Sequence, residues 1–472
     1  VTETPGRAAD EARARDVEDG EAGRYPPPTL AWAIVAMLFV AYIFSFIDRM
    51  IIGLLVEPMK ADLGVTDTQI SLLQGMAFAL FYTLAGLPIA RLIDRKPRMR
   101  IIAAGVAVWS LMTAACGVAT QYWHLFIARM GVGVGEATLS PAAYSLISDS
   151  FPKRRLGLAM GVYGLGSAVG AGLAFLIGAA VVKLVVAAGE VSLPLIGGVS
   201  AWQLTFLIVG LPGLLIALVF QFMPEPPRGA DAGAGGGAPL GEVFGFIRKR
   251  ADALGAAIAA VSLVNFAVLG SVSWVAVMFV RVHGFSLSQA GSAAGLGLIG
   301  GGVIGLIGGG LLTDRIDGGS PQGRLRFCAI AAIGGTLGAL VFPLVASPAL
   351  AIAFFVLFFS CAAVPVGAAI TAIQQMTPAG MRATIGAVYI FVVNIVGLAL
   401  GPSATALVGD TFFATETGIR YAIAWTAVPS FALAGVLFAV AAARGREPAA
   451  EKPGAERPVE PAPFLAGSAA DA

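Results

Sequence analysis

Apolar stretches long enough to cross roughly 30 Å of hydrocarbon recur about a dozen times along the chain. A first set covers residues 30–56, 68–93, 100–119, 123–147, 156–186 and 202–223. A second covers 251–280, 288–312, 325–345, 349–375, 383–408 and 421–443. Between them, Pro224, Glu225, Pro226, Pro227 and Arg228 lead through a Gly/Ala-rich stretch to the basic patch Arg248, Lys249 and Arg250. Because only helices and closed barrels satisfy the backbone inside lipid, the pattern predicts an all-α membrane protein with 12 transmembrane helices in two six-helix bundles. The bundles occupy 30–223 and 251–443, with a cytoplasmic linker at 224–250 and tails at 1–29 and 444–472. Both tails are rich in small, proline and charged residues and are expected to be disordered. The first lacks the apolar core of a signal peptide, so the first span is expected to act as its own insertion signal.

Composition narrows the class. With 57% hydrophobic and 12% charged residues, and a mean hydropathy of +0.85, the chain lies outside the range of soluble domains. A net charge of +2 without a long basic run excludes a nucleic-acid partner. Cys116, Cys328 and Cys361 stand singly in apolar runs, which gives no support to a disulfide framework, a metal site or a cofactor. His124 and His283 fall near span ends and read as interfacial polar tips. No HExxH or GxSxG pattern or acidic metal cage marks an enzyme.

Charge distribution sets the topology. Arg95, Lys96, Arg98 and Arg100, then Lys153, Arg154 and Arg155, then Arg315, Arg324 and Arg326 fall in alternate connections, and the intervening ones carry little beyond Lys60 and Arg420. The positive-inside rule therefore puts both termini in the cytoplasm. The Ala/Gly-rich style of the chain points to a bacterial inner membrane.

Four ionisable residues interrupt the apolar runs: Asp48 and Arg49 in the first span, Arg129 and Glu136 in the fourth. Each would cost roughly 2.5 to 3.5 kcal/mol near the bilayer centre if it faced lipid, so the four must face one another or a wet cavity. At 1.5 Å per residue, Asp48 and Arg129 come to similar depth in the outer half and Glu136 lies near the middle. Asp48 and Arg49 point about 100° apart, so their partners lie across the contact between the first and fourth helices. Depth favours Asp48 with Arg129, leaving Arg49 to reach Glu136 or to remain free for an anionic substrate. Glu136 is the first candidate proton carrier because burial disfavours a charged carboxylate, and Asp48 is expected to stay ionised beside an arginine. The second half offers only neutral polar candidates, Asn265, Ser271, Ser273, Thr371, Gln374 and Asn394, so one wall of the cavity is charged and the other mainly apolar. Such a site suits an amphiphile.

The halves also repeat locally. Ala90, three residues, Asp94, Arg95, then Pro97, Arg98 and Arg100 follow the second span, and Gly310, three residues, Asp314, Arg315 follow the eighth. Here the chain resembles the major facilitator superfamily, whose loop between helices 2 and 3 reads Gly, three residues, Asp, Arg, one residue, Gly, Arg; Ala90 and Pro97 replace the two glycines. The resemblance implies that Asp94, Arg95, Arg98, Asp314 and Arg315 serve a cytoplasmic gate. A narrower resemblance, to the spinster family, runs through Phe46-Ile47-Asp48-Arg49, then Arg129 to Ala137, then Ser140-Pro141-Ala142 and Asp149-Ser150-Phe151-Pro152. That family is associated with export of lysolipids and sphingosine-1-phosphate. The resemblance implies a secondary transporter of an anionic lysolipid-like amphiphile, expected as a monomer, and the charged cluster adds the expectation of proton coupling, with Glu136 and Asp48 coupling protons and Arg49 and Arg129 meeting the head group. Two alternatives stand beside it: a transporter of a small organic anion or drug, and a membrane-embedded enzyme or nontransporting receptor.

Glycine is dense in the fifth span (Gly161, Gly164, Gly166, Gly170, Gly172) and in the eighth (Gly295, Gly297, Gly300, Gly301, Gly302, Gly305, Gly308, Gly309, Gly310). Such spans permit close backbone approach and bending. In facilitator folds they meet at the seam between halves, which implies a deformable gate there. Ser167 after Gly166 departs from the superfamily's antiporter pattern, which expects Pro.

Overall fold

A computed structural model describes residues 25–188, 191–193, 197–228, 240–315 and 320–445. Most of the two tails and the middle of the linker lie outside these residues. In the first half, α1 is Pro28–Leu63, the second span is α2 (Asp67–Gln74) followed by α3 (Met76–Arg95), and the third is α4 (Arg98–Cys116). The fourth is α5 (Tyr122–Glu136) with α6 (Leu139–Ser150), the fifth is α7 (Lys153–Ala188), and the sixth is α8 (Ala201–Gly210) with α9 (Gly213–Phe222).

In the second half, the seventh span enters through a π-helical turn, Ala251–Gly255, into α11 (Ala256–His283), after the short linker helix α10 (Leu240–Lys249). The eighth is α12 (Leu287–Val303), a π-helical turn at Ile304–Gly308, and α13 (Gly309–Arg315). Next come α14 (Pro321–Leu344) and α15 (Pro348–Gln375). The eleventh joins α16 (Arg382–Asn394) to α17 (Gly401–Phe412) through a third π-helical turn, Ile395–Leu400, and the last is α18 (Ile419–Arg444).

Among the described residues, 11 spans are long and apolar enough to cross a bilayer. The fourth completes the expected 12 by a different route. Rather than one helix over 123–147 it is two, parted at Ala137 and Thr138, because Pro141 has no N–H to give the carbonyl of Ala137. The linker contains α10, whose strong amphipathic pattern the basic patch had masked. A small antiparallel hairpin, β1 (Val191–Leu193) with β2 (Gly197–Val199), follows the fifth span and is the one departure from helix among the described elements.

A second repeat accompanies the acidic-basic pair. Gly64 ends α1 at φ +62° and Gly284 ends α11 at φ +67°, left-handed positions that favour glycine. Two residues later, Thr66 with Gln69 and Ser286 with Gln289 close reciprocal capping boxes that start the next spans. The same turn chemistry thus sits at corresponding corners of both halves.

Helices within each half pack as neighbours: α1 on α7, α4 on α5, and α14 on both α15 and α18. Between halves, α7 packs on α12 and α11 on α1. A Cβ on Gly291 would lie 3.1 Å from the carbonyl oxygen of Phe175, and one on Gly295 would lie 2.7 Å from that of Gly172. These contacts lie in the half of α7 nearest its carboxyl end, whereas Gly161, Gly164, Gly300, Gly308 and Gly310 face open space. These glycine contacts across the seam therefore lie toward the ends remote from the chain termini.

Candidate functional site

Helix α1 brings Ser45, Asp48 and Arg49 against Arg129 and Glu136 on α5. Asp48 is 2% exposed and Arg129 and Glu136 are each 1% exposed, so all three are withdrawn from water and lipid alike. Arg49 Nε donates to Glu136 Oε2 at 2.6 Å, and Ser45 Oγ donates to the same oxygen at 2.6 Å. The Arg49 guanidinium lies 4.7 Å from the ring centre of Phe78, 5.1 Å from that of Tyr82 and 5.4 Å from that of Phe46. Rings at these distances attract a desolvated cation by up to about 2 kcal/mol. They fix the guanidinium while its edge meets the carboxylate.

Arg129 is held differently. Its Nη1 donates to the backbone carbonyl of Asp48 at 3.0 Å and its Nε to that of Leu73 at 3.4 Å, so the carboxylate pairing expected between Asp48 and Arg129 is replaced by a backbone one. Helix geometry explains this, because a side chain leans toward the amino end of its helix while its carbonyl points toward the other. The Asp48 carboxyl instead lies beside Thr113 of α4. Phe78, fully buried, also lies 5.5 Å from the Arg129 guanidinium and so separates the two arginines. It can do so because α3 and α5 touch at Gly133, where a Cβ would fall 3.1 Å from the Tyr82 nitrogen.

One oxygen on each carboxylate, Asp48 Oδ1 and Glu136 Oε1, and the Arg129 Nη2 have no hydrogen-bond partner among the described residues. Leaving a buried polar atom unpaired costs about 1–3 kcal/mol. In the second half, the only described hydrogen bond of the Asn265 side chain runs to the Val393 carbonyl at 3.0 Å, a helix-to-helix tie.

The loop residues expected at the gate divide. Arg98 is buried and central: its Nε meets Glu225 Oε1 at 2.9 Å, its Nη1 meets Ser145 Oγ at 2.9 Å and pairs with Asp149, and its Nη2 reaches the Pro226 carbonyl at 3.0 Å. It therefore clamps the ends of the third, fourth and sixth spans within one half. Asp94 and Arg95 are exposed and make no ion pair among the described residues; the Asp94 carbonyl accepts from Arg228 instead. The side chains of Asp314 and Arg315 lie outside those described.

At the opposite end is a set that sequence reasoning missed. Arg281 of α11 binds Asp67 through two nitrogens at 2.6 and 2.9 Å and Glu57 at 2.7 Å, and Lys60 adds a bond to Asp67 at 2.5 Å. Thr68 donates through its nitrogen and hydroxyl to Asp410 of α17 at 2.9 and 2.6 Å. Both sets join the two halves. Charges at span ends are ordinary, so nothing local in the sequence announced these pairs.

Comparison with known proteins accords with this geometry. The family model described as Major Facilitator Superfamily matches residues 38–402. An MFS-type efflux pump of Mycolicibacterium smegmatis is 26% identical over 395 residues, which cover 81% of this chain and 86% of that protein. Protein spinster homolog 1 of Xenopus laevis is 30% identical over 200 residues, 42% of this chain and 35% of that protein. Among solved structures, a bacterial homologue of the human lysosomal transporter Spinster, inward-facing and unoccupied, superposes with a TM-score of 0.72 at 27% identity over 89% of this chain and 97% of that one. A helical membrane chain with two repeated halves, a charged pocket in the first and a seam closed at one end is a secondary transporter rather than an enzyme, and this one belongs to the Major Facilitator Superfamily.

Proposed function

We propose that the protein moves an anionic amphiphile, lysolipid-like or sphingosine-1-phosphate-like, across a bacterial inner membrane by proton-coupled alternating access, with both termini in the cytoplasm. The observation that carries this reading is the buried Arg49–Glu136 pair, in which a single carboxylate oxygen receives both Arg49 and Ser45. A proton on Glu136 cancels its charge and releases Arg49, which the rings of Phe46, Phe78 and Tyr82 still hold in place. The freed guanidinium edge then binds a phosphate or carboxylate head group bidentately. Loss of the proton restores the pair and expels the head group. Asp48 is the second proton-coupling carboxylate, and Arg129, anchored on two carbonyls, adds positive potential for the head group without moving.

Residues 256–280, 287–312, 348–375 and 384–409 contain no charged side chain, so the facing half supplies an apolar wall for the tail. Contacts closing the seam at the ends remote from the termini leave the cytoplasmic side as the route to this site, in keeping with the inward-facing relative. Energetically one proton suffices. Moving it down 100 mV yields about 2.3 kcal/mol and one pH unit adds about 1.4 kcal/mol. A small organic anion or drug is the second reading, favoured by likeness to the mycobacterial efflux pump over most of the chain. Reconstituted vesicles separate the two: lysophospholipid or sphingosine-1-phosphate should move with a pH gradient and less without one. Transport of soluble anions alone would transfer the assignment to the second reading.

A further inference from the structure

The outer face of the first half has a groove of about 420 Å³ that the transport cycle does not use. The end of α3 forms one wall through Leu92 and the start of α4 forms the other through Ala104 and Val108. Its floor is the junction of α5 and α6, at Val134, Gly135 and Thr138. The floor is deep because α4 and α5 approach to backbone contact, a Cβ on Gly135 falling 2.7 Å from the Trp109 nitrogen. Leu92 and Val108 stay 45% and 41% exposed along the rim, so the groove is apolar and open lengthwise.

Lys96 and Arg100 close one end. Both are exposed, and neither side chain forms an ion pair among the described residues. Two acids at this end of the fold are engaged elsewhere, since Glu225 and Asp149 hold Arg98. Asp94 is exposed, but it does not line the groove, and Arg91 and Arg95 beside it keep this corner positive. An apolar trough that ends in two uncompensated cations at the edge of a membrane span matches one acyl chain under an anionic head group.

We infer that this groove binds an anionic phospholipid of the surrounding bilayer, its phosphate at Lys96 and Arg100 and a chain along Leu92, Ala104 and Val108. It is distinct from the transport site, for Val134 lies about 200° around α5 from Glu136. The bound lipid packs on the back of the helical turn that carries the coupling carboxylate and beside the break at Ala137–Thr138.

Lipid retention tests it. The full chain is purified from membranes containing phosphatidylglycerol and phosphatidylethanolamine, washed in detergent, and its lipid quantified by mass spectrometry. Phosphatidylglycerol should be enriched over its membrane share. It should fall by about 25-fold in Lys96→Gln/Arg100→Gln, since each cation contributes about a five-fold gain in affinity. Lys96→Arg should retain it and Ala104→Trp, which fills the trough, should lose it. Because Lys96 and Arg100 are exposed, the glutamine pair stays interpretable even if the tryptophan variant misfolds. Retention in membrane proportions, equal retention by the glutamine pair, or release by millimolar inorganic phosphate would overturn the proposal.

Discussion

Arg49 and Glu136 meet at 2.6 Å with the carboxylate wholly buried, so deleting one strands a charge while deleting both does not. Arg49→Met is expected to lower the unfolding free energy by about 3–5 kcal/mol. The double substitution Arg49→Met/Glu136→Leu should lose much less than the sum of its singles, as read by thermal unfolding in detergent through a double-mutant cycle. Additive losses would deny that the two charges act as a unit. The four intramembrane charges were legible in the sequence because their cost in apolar runs singles them out, but depth along the helices left Arg49 open between Glu136 and a free role, and the structure pairs it with Glu136. Arg129 was not legible in the same way, since its partners are carbonyls, a group every residue carries. Phe78 was hidden as well: it is one of 28 phenylalanines, and only the contact of α3 with α5 places it between two guanidiniums.

Among the helices, the closed end depends on α11 and α17 reaching across to α1 and α2. Hydrogen bonds to charged groups contribute about 1.5–3 kcal/mol each, enough for one to shift a two-state balance ten-fold or more. Arg281→Gln should therefore favour opening at this end, seen as a longer spin-label distance between Ala61 and Thr417, both exposed in the parent. An unchanged distance distribution would exclude these pairs from the closure. The glycine-rich fifth and eighth spans separate by position. Gly295→Val, driven against Gly172, is expected to cost about 1–3 kcal/mol, whereas Gly300→Ala, with nothing nearby, should be neutral or stabilise by up to about 1 kcal/mol. Thermal unfolding of the two variants checks this contrast. Glycine density could be read from the sequence; which glycines touch depends on how the helices tilt. The break at Pro141 was readable in principle, but the overall apolar length of 123–147 reads as one span. The helix at Leu240–Lys249 lay hidden in a stretch whose Pro, Gly and Ala content reads as linker.

Across both halves, duplication supplies the frame and asymmetry supplies the chemistry. The paired turns at Gly64 to Gln69 and Gly284 to Gln289 repeat at corresponding corners of the bundles, while the intramembrane charges gather in the first bundle alone. That division fits a substrate with a charged head and an apolar tail, and in the proposed mechanism Glu136 is the group whose proton state decides whether Arg49 is available. Accumulation of labelled lysophospholipid in proteoliposomes under an imposed pH gradient, compared between the parent protein and Glu136→Gln, examines this directly. The parent should concentrate the lipid by up to about ten-fold per pH unit for one coupled proton, and Glu136→Gln should lose gradient-driven accumulation. Undiminished accumulation by Glu136→Gln, or transport by the parent that ignores the gradient, would contradict it.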